Sequence, residues 1–155
     1  ALLEIAQSTS IPIATGERNT TRWGFREICE KRAAAVLQPD IRHCGGILEM
    51  RKIASLAEIH YLSIAPHSAS DPLGVVASVH AMAGVPNFLI QEYGGGNGEE
   101  LFHEPLTFQD GFVELPEGPG MGVTIDEQKL EALRITEWGQ RSSRRHPEDD
   151  SVNDI

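Results

Sequence analysis

The stretches AVLQPD at residues 35–40 and LSIAPH at residues 62–67 frame the part of the sequence that decides the fold. Each begins as a short apolar run and ends at a titratable residue, Asp40 in the first and His67 in the second. Between them, residues 45–60 place apolar side chains three and four positions apart, which is the spacing of an amphipathic helix. A strand, a helix and a second strand form a βα unit in which the two strands run parallel. The stretch therefore predicts parallel α/β structure.

The same unit recurs on both sides of this stretch. An apolar run at residues 11–15 precedes Glu17, and another run at residues 88–91 precedes Glu92. The four titratable residues are 23, 27 and 25 residues apart, close to the length of one βα unit. The intervening helices are predicted at residues 23–31, at residues 45–60, and from Asp71 as the N-cap with Pro72 at the first helical position.

Two parallel architectures agree with four such units, an open doubly wound sheet and a (β/α)8 barrel. Regular spacing and a polar residue after every strand favour the barrel, whose functional residues lie at the carboxyl ends of the strands. A closed barrel needs about 250 residues, and the chain has 155. Residues 1–93 are therefore predicted to form half of a barrel. Residues 94–138 are predicted to be a linker followed by a C-terminal segment, and the charged residues 139–155 a disordered tail.

Composition narrows the classes of partner. Thirteen basic and 23 acidic residues give a net charge of −10, which argues against nucleic acid and anionic membranes. No apolar run approaches the roughly 20 residues that span a bilayer. The two cysteines form no Cys-x-x-Cys motif, and the chain opens on an apolar segment without a basic stretch before it. A reduced cytoplasmic protein, present here as a fragment, is the expectation.

Three common site motifs are absent from the sequence. A dinucleotide loop starting at Gly94 would need glycine where Glu99 stands. His103 is followed by Glu104 but by no second histidine at helical spacing, which excludes a helical zinc motif there. No Gly-x-Ser-x-Gly nucleophile elbow occurs. The titratable residues after the four runs remain, and they either form a shared site or are solvated loop residues.

Several short motifs, taken in order, resemble those of one known family. They are IPIATGER at residues 11–18, QPD at 38–40 with GGI at 45–47, APH at 65–67, NFLIQE at 87–92 and PGMGV at 119–123. Together they resemble the C-terminal half of the enolase superfamily, mandelate racemase subgroup, and within it the acid-sugar dehydratases of the galactonate dehydratase type. The resemblance covers roughly residues 2–135, and it implies the C-terminal half of a (β/α)8 barrel whose last segment returns to a capping domain.

The resemblance implies a role for each of the four titratable residues. Glu17 corresponds to a carboxylate ligand of an essential Mg²⁺ ion. Asp40 and His67 correspond to a catalytic dyad that removes the proton α to a carboxylate. Glu92 corresponds to a carboxyl group that hydrogen-bonds the substrate as it becomes an enediolate. These residue types suit the chemistry, because a hard cation needs oxygen ligands and imidazole titrates near neutral pH.

The implied reaction is the Mg²⁺-dependent dehydration of a small sugar acid, with loss of its 3-hydroxyl group. Arg18 and His43 lie in loops after the first and second runs and are expected to contact that substrate. The complete enzyme is expected to be a homo-oligomer, and the isolated chain to be inactive because the family's other metal ligands lie upstream. Two alternatives stay open: a racemase, epimerase or cycloisomerase of the same superfamily, and a non-catalytic remnant or interaction module.

Overall fold

The computed structural model describes residues 1–68, 72–94 and 96–135. The predicted N-cap Asp71 and the tail at residues 139–155 lie outside these ranges. The helices are α1 (Leu2–Ser8), α2 (Thr21–Lys31), α3 (Gly46–Ile59), α4 (Pro72–Met82) and α5 (Glu127–Ala132). The strands are β1 (Ala14–Thr15), β2 (Val36–Leu37), β3 (Ser63–Ile64), β4 (Phe108–Gln109) and β5 (Phe112–Val113).

Strands β1, β2 and β3 form one parallel sheet in chain order, which confirms the predicted α/β fold class. Strand β2 is the central strand, and its Leu37 pairs with Thr15 of β1 and with Ile64 of β3. A helix follows each strand, as parallel pairing requires. Beyond the strands, Asp40 and His67 form a further parallel bridge. Pairing between β2 and β3 therefore extends as far as two of the predicted site residues.

The fourth predicted strand is shorter than its apolar run. Phe88 forms a single parallel bridge with Ile64, and the N–H of Leu89 donates to the Ile64 carbonyl at 2.8 Å. Leu89 and Ile90 are 59% and 62% exposed. Only the β3 side of this segment is paired in the described structure, so it forms an edge. A strand with one bonded neighbour has less backbone pairing to hold it than one inside a sheet.

Helix α3 packs on the sheet through one face and supplies much of the main core. Met50, Ile53, Ala54 and Ala57 are buried, in agreement with the predicted stripe, and they lie in one cluster with residues of β2, β3 and α2. Ile47 shares the spacing of this stripe, but it is 40% exposed. It occupies the first turn of α3. The buried set begins one turn later than the periodicity indicates.

A second, smaller core joins α4 to the C-terminal part of the described chain. Val75 and Val76 of α4 pack against Phe102 and Leu106, which are both buried. Gly98 makes this packing close: its φ is +83°, and a Cβ there would lie 2.5 Å from the Phe102 ring. The glycine-rich stretch predicted to be a linker therefore ends at a packed residue.

Two further features complete the described fold. The hairpin of β4 and β5 is antiparallel, and α5 begins at Asp126, whose side chain accepts hydrogen bonds from the N–H groups of Gln128 and Lys129. His80 of α4 bonds the Met121 carbonyl at 2.9 Å. Within the described ranges, the helices are all too short or too polar to cross a membrane.

Candidate active site

The centre of the candidate site is a hydrogen bond between His67 and Asp40. His67 Nδ1 lies 2.8 Å from Asp40 Oδ2, and the two residues follow neighbouring strands, β3 and β2. The N–H of His67 also donates to the Pro39 carbonyl at 3.2 Å, which continues the backbone pairing between those strands. Parallel strands bring their carboxyl ends to one edge of a sheet. The side-chain contact is therefore held by the sheet itself.

Asp40 is completely buried and charged. Burial alone would raise the pKa of its carboxyl group. Hydrogen bonds from Arg42 and His67 outweigh that effect and lower the pKa from the ordinary value of 3.8 to about 2. An ionised carboxylate is only an acceptor, so the proton in the bond to His67 belongs to Nδ1. In the neutral imidazole, Nε2 then carries the lone pair and is the atom able to take up a proton.

Two further carboxylates face Nε2 of His67. Glu17 Oε2 lies 3.3 Å from it and Glu92 Oε2 lies 3.9 Å from it. Glu92 is held by the backbone N–H of Ser68, which donates to Oε2 at 2.9 Å. The structure thus brings all four of the predicted residues together at one edge of the sheet. Nε2 of His67 therefore lies between two side chains that carry oxygen acceptors.

Backbone conformation sets the position of Glu17. Gly16 precedes it with a φ of +131°, and a Cβ at Gly16 would lie 2.5 Å from the Phe25 ring and 3.2 Å from the Gln38 nitrogen. Phe25 belongs to α2 and is fully buried. Close packing of the chain against this helix therefore requires glycine at the point where the chain leaves β1 and turns Glu17 toward His67.

Comparison with known proteins assigns the chain to a family. The family model described as enolase C-terminal domain-like matches residues 1–129. The chain belongs to that family. This confirms the family resemblance and, with it, the fold class predicted from the sequence, half of a (β/α)8 barrel.

Two curated relatives and a solved structure illustrate the match. D-xylonate dehydratase of Haloferax volcanii is 40% identical over 134 residues, which cover 84% of this chain and 32% of that protein. D-galactonate dehydratase of Variovorax paradoxus is 36% identical over 135 residues, covering 81% and 35% respectively. The structure of a mandelate racemase/muconate lactonizing enzyme from Sulfitobacter sp. superposes with a TM-score of 0.81 at 35% identity, over 89% of this chain and 35% of that one. The chain spans about a third of the length of the curated relatives it matches.

Dehydratases of the enolase superfamily generally use Mg²⁺, an ion that binds hard oxygen donors. Within residues 1–68, 72–94 and 96–135, no group of three or more His, Cys, Asp or Glu side chains could hold a metal. Glu17 has a suitable hard oxygen donor, but its contact is with His67. A magnesium site takes several oxygen ligands. The described residues therefore do not fit a complete site.

The structure places the two expected substrate-contacting residues of this enolase-type domain differently. Arg18 lies next to Glu17 and lines a small polar cavity with it, of about 310 Å³. His43 lies in the turn after Asp40 and is exposed, and its N–H donates to the Asp40 carbonyl at 3.1 Å. Arg18 thus adjoins the site, whereas His43 is tied to it through its backbone.

Three neighbours of the site were not identified from the sequence. The Arg42 guanidinium donates hydrogen bonds to the carboxylate of Asp40, and the Ser68 N–H donates one to the carboxylate of Glu92. The Gln91 amide donates to the carbonyls of Pro66 and Glu92, at 3.3 and 2.8 Å, and so ties together the two segments that carry His67 and Glu92. An Asp-x-Arg spacing in a turn was the available signal for Arg42, because an aspartate side chain often bonds the N–H two residues on.

Proposed function

We propose that this chain provides the base-bearing part of the active site of an acid-sugar dehydratase. The observation that carries the proposal is the arrangement of His67, whose Nδ1 is bonded to buried Asp40 while Nε2 faces Glu17 and Glu92. Such an imidazole is oriented to accept a proton through Nε2. The two curated relatives, both dehydratases acting on sugar acids by name, support a hydro-lyase rather than another reaction of the superfamily.

The proposed reaction proceeds by removal of water across C2 and C3 of the substrate. His67 Nε2 takes the C2 proton, the C2–H electron pair forms the C2–C3 double bond, and the C3–O bond breaks. The leaving hydroxyl group takes a proton from an acid and departs as water, and the resulting enol becomes a 2-oxo acid. Asp40 holds the ring and stabilises the imidazolium that forms.

Glu92 is proposed to hydrogen-bond the substrate carboxylate. It donates such a bond only in its protonated form. Its side chain is 50% exposed in the described structure. We therefore propose that a bound substrate covers Glu92, and that Arg18 contributes positive charge beside that substrate.

We also propose that Glu17 supplies one oxygen ligand to a Mg²⁺ ion, whose function would be to neutralise charge on the reacting carboxylate. With one such ligand, the 155-residue chain is expected to bind Mg²⁺ weakly, with a dissociation constant in the range of about 1 mM or above. Isothermal titration calorimetry with MgCl2 measures this. Micromolar binding that disappears in Glu17→Gln would contradict the expectation and would show a fuller ligand set.

The remaining aspects of the proposed function concern the whole protein. We propose a small sugar acid as its partner, the cytoplasm as its location and a homo-oligomer as its assembled form. Residues 94–138 are proposed to pack on a capping domain, as the family resemblance implies. The high negative charge supports a partner other than nucleic acid, because phosphates repel such a surface.

A chimera tests the proposed function. The chain replaces the matching third of the Variovorax D-galactonate dehydratase, and the purified protein is incubated with D-galactonate or D-xylonate and MgCl2 in D2O. The expected NMR product is the 2-oxo-3-deoxy acid, formed by the chimera and lost in its His67→Asn variant. Deuterium at C2 with inverted configuration and no dehydration would favour a racemase or epimerase. A folded chimera without turnover or exchange would favour a non-catalytic domain.

A further inference from the structure

Asp40 has four hydrogen-bond donors, and three of them come from one residue. Oδ1 accepts from the Arg42 backbone N–H at 2.8 Å and from Arg42 Nε at 3.1 Å. Oδ2 accepts from Arg42 Nη2 at 2.8 Å and lies 2.8 Å from His67 Nδ1. Every described donor to this buried carboxylate is therefore either Arg42 or the imidazole that it orients.

This arrangement restricts the rotation of the carboxylate. The terminal torsion of an aspartate is broad and roughly two-fold, so either oxygen could face a partner if nothing fixed the group. A guanidinium fork bonds both oxygens in one plane, and the backbone bond holds Oδ1 on the side away from His67. Oδ2 is left directed at Nδ1. A lysine in this position would supply charge but not the fork.

The local chain keeps Arg42 in place. The N–H of Cys44 donates to the Asp40 carbonyl at 2.8 Å, so residues 40–44 form a closed turn immediately before α3. Cys44 is fully buried and anchors that turn in the main core. The guanidinium itself reaches the surface, since the Arg42 side chain is 38% exposed. Its substitution therefore changes the contact with Asp40 without opening the core.

We propose that Arg42 is a positioning residue. Its hydrogen bonds to both oxygens of Asp40 fix the carboxylate so that Oδ2 bonds His67 Nδ1 and the His67 Nε2 faces the pocket. The orientation of the imidazole follows from these contacts, and its consequence for turnover rests on the proposed function. A residue that only neutralised a buried charge would stabilise the fold but leave the imidazole where it is.

NMR of the ¹⁵N-labelled 155-residue chain tests the orientation of the imidazole. The Nδ1–H of His67, assigned through His67→Asn, is expected to give a downfield signal protected from exchange with water. In Arg42→Met, exchange of this proton is expected to be roughly tenfold faster or more, because the bond loses its fixed acceptor. Arg51→Met, which removes an exposed arginine of α3, is the matched control and is expected to leave the signal unchanged.

Arg42→Lys separates the orientation of the Asp40 carboxylate from the neutralisation of its charge. The lysine retains a positive charge beside buried Asp40 but lacks the two-pronged guanidinium. The proposal expects the lysine variant to fold and to show the faster exchange as well. A folded Arg42→Met or Arg42→Lys variant whose His67 signal matches that of the parent would overturn it. If Arg42→Met does not fold, the lysine variant alone decides.

The chimera adds a catalytic readout. There, Arg42→Lys is expected to lower kcat about tenfold with little change in KM, because it disturbs the base and not a substrate contact. An inactive chimera with the expected NMR result would reject the proposed function and keep the positioning role. An active chimera with an unchanged His67 signal in the lysine variant would support the proposed function and reject the positioning role.

Discussion

Asp40 combines complete burial with a negative charge, and this determines how its contribution to stability changes with pH. Its pKa is about 2 in the folded chain, where burial is outweighed by the bonds from Arg42 and His67, and 3.8 is the ordinary value. A folded-state pKa below the unfolded value stabilises the fold above about pH 4, and this stabilisation is lost as the pH falls toward 2. Acid should therefore weaken the fold partly through this residue.

The Asp40→Asn variant tests that contribution. Between about pH 5 and pH 2, the free energy of unfolding of the parent is expected to fall by about 2 kcal/mol more than that of the variant. Urea unfolding followed by circular dichroism measures both. Glu58→Gln, at an exposed carboxyl of α3, is the control and should follow the parent. Equal pH dependence in the parent and Asp40→Asn would mean that Asp40 is not the titrating group.

Gly16 offers a second prediction for a single residue. Gly16→Ala should destabilise the chain by about 2–4 kcal/mol, because a left-handed backbone angle and a clash with Phe25 act together. Gly46 also has a positive φ, +82°, but nothing lies within 4 Å of a Cβ added there, so Gly46→Ala should cost about 1 kcal/mol. Thermal unfolding of both variants measures the difference. Equal losses would show that the Phe25 contact yields freely.

Single residues also show where inference from sequence ends. Four titratable residues could be selected because each lies just past an apolar run, and strand direction alone brings such residues together: Glu17, Asp40, His67 and Glu92. The Asp-x-Arg spacing indicated that the Arg42 N–H could bond Asp40, but only the path of the chain decides whether the side chain of Arg42 or that of His43 reaches the same carboxylate.

Helix α3 makes the same point for a whole element. Its position was predictable because apolar periodicity is a local property of the sequence. The extent of its buried face was not, because burial depends on what packs against each turn of the helix. Ile47 is 40% exposed although it shares the spacing of buried Ile53. The short fourth strand has a similar cause, since pairing needs a neighbour that its own sequence does not specify.

A pair of substitutions in α3 measures this difference. Ile53→Ala should lower the free energy of unfolding by about 2–5 kcal/mol, because Ile53 is fully buried against the sheet. Ile47→Ala removes the same atoms from an exposed position and should cost less than about 1 kcal/mol. Chemical unfolding of the two variants gives the comparison. Similar losses would place Ile47 in the core after all.

The described molecule has two hydrophobic cores, and helix α4 contributes to both. Cys29 and Cys44 lie in the main core with free thiols, and burial raises the pKa of each to about 11. A thiol that is both buried and protonated reacts slowly with disulfide reagents. The cysteines therefore report the opening of the main core, whereas Phe102 belongs to the other one.

Thiol reactivity in a Phe102→Ala variant tests whether the two cores unfold together. The substitution should cost about 3–5 kcal/mol in the smaller core. If α4 couples the cores, labelling of Cys29 and Cys44 with a chromogenic disulfide at pH 8 should accelerate by at least about 100-fold over the parent. Unchanged labelling, with a lowered melting temperature by circular dichroism, would show that the C-terminal part opens independently of the barrel half.

The backbone bridge between Asp40 and His67 has a further consequence, for the order of folding. These residues are 27 positions apart, and the chain between them contains the whole of α3. Closing a flexible loop of that length costs about 3 kcal/mol in entropy by the logarithmic relation. The contacts that α3 makes with the sheet offset this cost. The bond between His67 and Asp40 is therefore expected to form only once α3 has docked on the sheet.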